Sequence, residues 1–306
     1  MDISLADLKA FREVARLGKV SAAARVLNLS QPTVSWTMKK LERELGKPLL
    51  VRGNRGVTLT RAGKALLEHT GNLIQEFQNL SDEIQTDSEE VRGTYTLGVY
   101  AMLGTYTLPC FLPQLLMDYP ALELRLTHDL SRNIAEAVIN RNLDFGIVVN
   151  PPAHQDLVIR KLYNDFIGYW THQQPNGLQD LTGPDSVLWL PPNLRQSETL
   201  LGEAKRRGFL KQTRFRYSTD LGVIHHMIAA GGGAGLLPAT IALAFPGSPV
   251  EPIPNTPSYH DVICLVYRHD RPKTRAAEVV IRAISEADYQ GIDRTAEGAL
   301  NWMQAN

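Results

Sequence analysis

Three short amphipathic segments and a basic hairpin follow one another between residues 5 and 63, and that order leaves few folds open. Ser4 with Asp7 three residues on makes a capping-box pair, and Leu5, Leu8, Phe11 and Ala15 then recur at helical spacing. Gly18 suits the left-handed exit of that helix. Ser21 reads as the N-cap of a second, short helix carrying Ala24 and Leu27, and Asn28 tolerates the tight exit. Ser30 reads as the N-cap of a third helix, with Pro32 in its first turn, where a missing N–H is harmless. Val34, Met38, Leu41 and Leu45 form one apolar stripe on it. At about 100° per residue, Pro32, Trp36, Lys39, Lys40 and Arg43 fall on the opposite face, with Gln31, Thr33 and Ser35 flanking the start. Arg52 and Arg55 lie in the hairpin, before Leu59-Thr60-Arg61-Ala62-Gly63. The pattern predicts an all-α winged helix-turn-helix domain over residues 1–63.

Such a domain is a reading head for duplex DNA. A major groove admits one helix, whose N-terminal residues reach base edges. Gln31 can read adenine, Thr33 and Ser35 can touch bases or phosphate, and Lys39 can neutralise phosphate. Ser21, Ser30, Pro32, Arg52 and Arg55 complete the candidate DNA-binding set. Trp36 faces away from the apolar stripe, either to meet sugar-phosphate or a thymine methyl, or as an exposed aromatic or subunit contact. Charge agrees with this placement. Residues 1–65 hold 13 Lys and Arg against 5 Asp and Glu, a net +8, and the rest of a neutral chain carries −8. The acidic remainder is not expected to touch phosphates.

From Thr60 to about Glu89 there is no proline, and Leu66, Thr70, Leu73, Phe77, Leu80 and Ile84 alternate steps of four and three. That is a heptad seam interrupted only by Thr70. It predicts a linker helix over 60–90 that buries Leu66, Leu73, Phe77, Leu80 and Ile84 against a partner helix and so pairs two heads. Packing against the chain's own globular part is the other solution. The acidic Asp82–Glu90 stretch is expected to end the helix.

Residues 92–306 alternate strand and helix patterns, which argues for a parallel-rich α/β architecture. Strands are expected at Thr94–Tyr100, Leu122–Leu126, Asp144–Val149, Phe166–Thr171, Val187–Leu190, Phe215–Tyr217, Gly235–Leu237 and Val262–Tyr267. Helices are expected at Leu108–Tyr119, Ser131–Asn140, Ser197–Arg207, Leu221–Ala230 (capped by Asp220) and Thr274–Glu286.

The string Ala22-Ala23, Leu27, Ser30-Gln31-Pro32, Val34-Ser35, Leu41-Glu42, Leu45-Gly46, Leu59-Thr60, Ala62-Gly63 is specific enough that the chain resembles the LysR-type transcriptional regulators over nearly its full length. Weaker echoes lie at Leu108-Pro109 with Tyr119-Pro120, at Asn142–Ile147 and at Ile228–Pro238. The resemblance implies a two-lobed α/β effector domain like a periplasmic binding protein, lobe I over 92–162 and 268–306 and lobe II over 163–267. It implies a small-molecule co-effector in the cleft, a homotetramer built as a dimer of dimers, RNA polymerase as a further partner, and DNA bending that changes with effector. Gln31, Pro32, Thr33 and Ser35 match the family's DNA-reading positions, and Arg52 and Arg55 its wing. Trp36 stands where a basic or small polar residue is common, and Leu50 replaces a usual Phe. In the cleft, Ala101 and Met102 lie on the first strand-to-helix loop, with Met102 at a position usually held by a hydroxyl. Ser131 matches the second hydroxyl position. Backbone N–H groups at the start of the Ser131 helix could still hold a carboxylate, but because Met is a weak acceptor and no donor, a more apolar or aromatic effector is expected. Ser197 and Asp220 are further candidates from lobe II, each equally explained as a helix cap.

Other chemistries find less support. Two cysteines, Cys110 and Cys264, make neither a disulfide framework nor a zinc site, and their separation argues against a redox pair. His225-His226 lacks a carboxylate at metal spacing, so no metal is expected. Gly231-Gly232-Gly233 is not followed by the Lys-Ser/Thr of a phosphate loop and reads as a helix exit. An enzyme on a two-lobed scaffold with a vestigial head would need a nucleophile–base arrangement, and none stands out. A solute-binding protein of transport would need a secretory leader, whereas Met1-Asp2-Ile3-Ser4 opens into the first helix. No apolar run approaches the ~18 residues of a membrane span. A cytoplasmic location without membrane contact is expected.

Overall fold

The structure, a computed structural model, describes residues 2–53, 56–84, 91–173, 181, 183, 185–192, 195–245 and 247–305. It divides into two compact units, Met1–Gly93 and Thr94–Asn306.

In the first unit, α1 (Leu5–Leu17), α2 (Val20–Val26) and α3 (Gln31–Leu45) are followed by β1 (Leu50–Gly53), β2 (Gly56–Leu59) and the long α4 (Arg61–Ile84). The Ser4–Asp7 capping box is formed in both directions, and Gly18 ends α1 in the left-handed region. Asn28 takes φ 54° at the exit of α2. The cap of α2 differs from expectation. Lys19 occupies the N-cap and makes no side-chain bond, and Ser21 lies inside the first turn, exposed. Ser30 caps α3 by accepting from the Thr33 N–H, with Pro32 in the first turn. Phe11, Val14, Val34, Met38 and Leu41 are fully buried in one core, and Ile74 of α4 closes it. Each Leu-sized group buried there is worth roughly 1.5–3 kcal/mol.

The wing is a two-stranded antiparallel sheet pinned to the helices at two points. Glu42 of α3 accepts from the backbone N–H groups of Leu49 (2.9 Å) and Leu50 (3.1 Å). Val57 N–H donates to the Gly18 carbonyl at 2.8 Å, an approach so close that a Cβ on Gly56 would meet that oxygen at 2.3 Å.

The second unit contains β3 (Gly93–Val99), α5 (Ala101–Thr107), a 3-10 turn (Leu108–Cys110), α6 (Leu112–Asp118), β4 (Leu122–Thr127), α7 (Ser131–Ile139) and β5 (Phe145–Val149). There follow β6 (Leu157–His172), β7 (Val187–Leu190), α8 (Arg195–Arg206), β8 (Arg214–Tyr217), α9 (Leu221–Ala229), β9 (Ala234–Pro238), α10 (Ala239–Ala242), β10 (Val250–Pro252), β11 (Tyr259–Arg268), α11 (Arg275–Ser285) and α12 (Gln290–Ala305). Among the described residues the strands form one sheet in the order β4-β3-β5-β11-β6-β9-β7-β8, with β10 on β6.

That sheet is mixed rather than parallel-rich. β3 with β5, and β7 with both β8 and β9, are parallel. The two long central strands β6 and β11 pair antiparallel with each other over Tyr259–Arg268, and with their other neighbours as well. The expected strand at 166–171 is only the second half of β6, because its first half, Leu157–Arg160 and beyond, lacks a clean alternation and is held by pairing with β11. The stretch expected as a loop at 101–104 is the start of α5.

Besides α5, three elements had no counterpart in the pattern, α10, β10 and α12. Ala296 and Met303 of α12 pack in one core cluster with Phe166, Trp170 and Ile224. The Asn164 N–H donates to Asp293 at 3.1 Å. Residues 290–305 therefore sit with the elements of 163–267, not with 92–162 as the lobe division assumed.

Glu42→Ala is expected to loosen the wing, since two backbone donors lose their acceptor at a cost of about 1–3 kcal/mol. Amide exchange checks it: protection at Leu49 and Leu50 should fall, and unchanged protection would remove Glu42 from wing anchoring.

Candidate DNA-reading head and effector cavity

On α3 the polar N-terminal face stands clear of the core. Gln31, Pro32, Thr33 and Lys39 are exposed, Ser35 is half-buried, and Trp36 is 59 % exposed. Ser21 and Ser30 are exposed too, but the Ser30 hydroxyl is engaged, lying 2.7 Å from Thr33 Oγ1 as well as capping the helix.

Lys40 departs from expectation. Its ammonium donates to Asp7 at 2.9 Å and lies 3.4 Å from Asp2, with 11 % of its side chain exposed. Burial pushes the Asp7 carboxyl up, but hydrogen bonds from Ser4 and Lys40 outweigh it and hold the group below its usual value. Lys40 is thus a structural cation tying α3 to α1, and it lies 5.9 Å from the Trp36 ring centroid, which steadies the indole. Arg52 is paired with Val57 in the wing, its side chain outside the described set, and Arg55 lies outside the described residues.

The seam of α4 divides between two faces. Leu66 packs on the head core, and Thr70 is buried, its hydroxyl donating to the Leu66 carbonyl at 2.6 Å. Leu66 thus belongs to the head rather than to an outward seam, and Ile74, absent from the expected seam, is the anchor. Leu73, Phe77 and Ile84 are 48 %, 53 % and 76 % exposed, an apolar stripe that no described residue covers. The Leu80 side chain and residues 85–90, where the acidic stretch was expected to end the helix, lie outside the described set.

In the second unit a cavity of about 830 Å³ lies over the two central strands, walled by the starts of α7 and α8 and by tyrosines from three segments. Ser131, at the first position of α7, lines it, and its hydroxyl accepts from the Val149 N–H at 3.1 Å. The other candidates lie elsewhere. Ala101 is exposed in the first turn of α5, and Met102 packs with the Trp170 cluster beside Gly222. Ser197 is buried, 3.4 Å from the Pro191 carbonyl. Asp220 is the N-cap of α9, accepting from Gly222 and Val223. With Met102 outside the cavity, the argument for an apolar or aromatic effector loses its premise.

Two carboxylates that the sequence reading passed over line this cavity. Asp165 of β6 and Asp261 of β11 are direct partners in the strand register. Asp165 is 3 % exposed and accepts from the Phe166 N–H at 2.8 Å, from the Thr240 N–H at 3.3 Å and from the Thr240 hydroxyl. Asp261 is 4 % exposed, and its Oδ1 accepts from Asn150 Nδ2 at 2.6 Å and Gln196 Nε2 at 3.1 Å. Burial raises both carboxyls, to about 7 for Asp165 and about 6 for Asp261, with the charge of Asp261 adding to the rise at Asp165. A same-face pair of Asp residues on adjacent long strands is the signal that could have found them, but it requires the register.

Neither cysteine has the surroundings of a reactive thiol. Burial raises both thiols; Cys110 Sγ donates to the Tyr106 carbonyl and Cys264 is buried in β11. His225 stacks on Phe245 at 4.2 Å, His226 bonds to the Gly222 carbonyl, and among the described residues no group of His, Cys, Asp and Glu is placed to hold a metal. Gly231 and Gly233 take φ +77° and +116° at the exit of α9, and a Cβ on Gly233 would meet the Val187 carbonyl oxygen at 2.6 Å.

The geometry of a capped reading helix, a pinned wing and a cavity over crossover strands has close counterparts. Residues 5–64 match the family model of bacterial regulatory helix-turn-helix proteins, lysR family, and residues 88–288 match the LysR substrate binding domain. The chain belongs to the LysR family. Among LysR relatives, the hydrogen peroxide-inducible genes activator of Dickeya chrysanthemi is 27 % identical over 298 residues, covering 93 % of this chain and 95 % of that one. A full-length OxyR variant from Pseudomonas aeruginosa superposes with a TM-score of 0.68 at 22 % identity, covering 94 % of this chain and 96 % of that one. Full-length CbnR in complex with its target DNA gives 0.65 at 22 % identity, over 96 % and 100 % of the two chains. These solved structures establish that the fold is that of LysR regulators, a helix-turn-helix domain with a two-lobed effector domain.

On this LysR head, Gln31→Ala is expected to cost about 1–3 kcal/mol of binding and relax base preference, as loss of direct readout should. Lys39→Ala should weaken all sequences alike and reduce the salt slope by about one. Binding titrations on specific and random DNA separate the two, and the opposite pattern would exchange their roles.

The cavity makes a second prediction. Because the folded Asp165 holds its proton up to about 7 while an unfolded Asp loses it near 4, the folded state binds more protons in that interval. Stability of the effector unit therefore falls as pH rises through it. Asp165→Asn should flatten this slope in melting temperature; parallel wild-type and variant curves would refute the burial cost.

Proposed function

We propose that this chain is a cytoplasmic, sequence-specific DNA-binding transcriptional regulator, not an enzyme, whose effect on a promoter is switched by a small molecule bound between the lobes of its effector domain. The observation that carries the reading is the exposed start of α3. It presents Gln31, Pro32, Thr33, Trp36 and Lys39 to solvent with no carboxylate among them, on a segment of net +8. Gln31, Thr33 and Ser35 would take base edges, Lys39 and the wing arginines Arg52 and Arg55 the backbone or minor groove, and Ser21 and Ser30 the flanking phosphates. Membership of the family and the DNA complex of CbnR support duplex DNA as the partner.

Paired copies of α4 would bury Leu73, Phe77, Leu80 and Ile84 and present two heads to two half-sites, and the effector domains would join dimers into a tetramer in contact with RNA polymerase. Among the described residues no helix is long and apolar enough to cross a membrane.

The relative's name raises peroxide as the input. The raised thiols of Cys110 and Cys264 favour a bound ligand instead, because the thiolate is the reactive form.

A mobility shift on DNA upstream of the chain's own gene against random DNA, titrated with salt and repeated with a metabolite panel, tests the reading. Specific binding whose footprint changes with one metabolite is expected. Phe77→Asp should halve the sedimenting mass, leaving pairs joined only through their effector domains, and abolish two-half-site footprints; an unchanged mass would return the stripe to another role.

A further inference from the structure

The walls of the effector cavity are unevenly charged. Among the described lining residues, Asp165, Asp261 and Glu198 face it with carboxylates, and Arg132 alone answers with a guanidinium. The titratable groups contributed by the surrounding segments are Tyr100 at the N-cap and Tyr106 near the end of α5, Arg132 of α7, Asp165 of β6, Glu198 of α8, and Tyr259 and Asp261 of β11, with the charge of His260 next to Asp261 acting to lower its carboxyl.

The two strand carboxylates differ in what they still need. Both oxygens of Asp165 already accept, from Thr240 and from the Phe166 backbone. Asp261 spends only Oδ1, on Asn150 and Gln196, and no described group donates to Oδ2. That oxygen belongs to a residue 96 % withdrawn from solvent, on the floor of a cavity large enough for a small organic molecule. A carboxylate oxygen that opens onto the cavity with free acceptor capacity selects a donor, and an ionised pair selects a charged one. Asp165, across the strand register from Asp261, deepens the negative potential without offering a contact of its own. An anionic ligand would meet that potential uncompensated unless it stayed at Arg132.

We propose that the effector of this regulator is a small organic cation, an amine or amidine whose N–H groups are taken by Asp261 Oδ2 over the Asp165–Asp261 pair, with its apolar body between Tyr100, Tyr106 and Tyr259. This rests on the regulator reading above, and it narrows the ligand class rather than restating that a ligand binds. Binding requires the pair to be ionised, so it releases protons whenever the free protein holds one there.

Calorimetry on the full-length protein with benzylamine, benzamidine, benzyl alcohol and benzoate tests the charge preference, since the four share one ring and differ in the polar head. Benzylamine and benzamidine are expected to bind at least about tenfold more tightly than benzyl alcohol, and benzoate more weakly still. Benzylamine affinity should fall as pH is lowered from about 8 to about 5, while that of benzyl alcohol stays level. Asp261→Asn should remove the advantage of the amine and its pH dependence together. Benzoate binding as tightly as benzylamine, a level pH profile for the amine, or no binding of either cation overturns the proposal. Should Asp261→Asn fail to fold, the wild-type pH comparison decides alone. A parallel mobility shift separates this inference from the regulator reading. Amine binding with no DNA recognition leaves the cavity chemistry standing and removes the regulator. Specific DNA recognition with carboxylate-selective binding does the reverse.

Discussion

The pairing of β6 with β11 is the constraint on which the effector unit depends. Ten consecutive residues of β11 find partners on β6, from Tyr259 with Ile167 to Arg268 with Leu157. Strands on one side of this pair carry α7 and β3–β5, and strands on the other carry β7–β9. The register slips between Ile263 and Cys264, where the ribbon passes from one group to the other. A bulge there increases local twist and lets one ribbon serve two differently oriented half-sheets. The same register sets Asp165 against Asp261. The slip that joins the two halves therefore lies two residues from a pair of buried carboxyls. A ligand that alters the charge on this pair acts at the joint itself.

The head is organised around a different economy of charge. Its net +8 does not lie uniformly on the reading face, because Lys40 is withdrawn into contact with Asp7 and Asp2. That pair ties α1 to α3, while Glu42 ties α3 to the wing through two backbone N–H groups. Charges held inward fix the angle of the reading helix, and charges left outward meet the nucleic acid. Trp36, steadied by Lys40, stands at the border between those roles.

The head was legible because its information is local. Capping residues, left-handed glycines and an apolar stripe lie within a few positions of what they determine, so Ser4, Gly18, Ser30 and the Val34–Leu41 stripe could be read directly. Ser21 does not serve as a cap because the helix starts one residue earlier, at Val20 with Lys19 as its N-cap, and Lys40 looked solvent-facing because its partners, Asp2 and Asp7, come from the distant N-terminal segment and α1. In the effector unit the decisive facts are long-range. Asp165 follows Asn164 and Asp261 follows His260 in ordinary strand text, and only the pairing of segments almost a hundred positions apart reveals them as neighbours. Met102, Ser197 and Asp220 looked like ligand contacts because loop and cap chemistry draw on the same residue types as binding does. The amphipathic α12 was missed for a related reason: its apolar residues are widely spaced, and they find their counterparts on β6 and α10.

The two-faced α4 has a mechanical consequence. Leu66, Thr70 and Ile74 fasten its start into the head core, while Leu73, Phe77 and Ile84 look outward along the same hydrogen-bonded rod. At 24 residues it is about 36 Å long, so the head rides on a lever with no joint of its own. A tilt of about ten degrees at the far end sweeps the reading helix through about 6 Å, nearly two base-pair steps of about 3.4 Å. An operator read by two such levers is measured with a ruler whose error is angular, and modest changes of inclination are enough to put a second half-site in or out of reach.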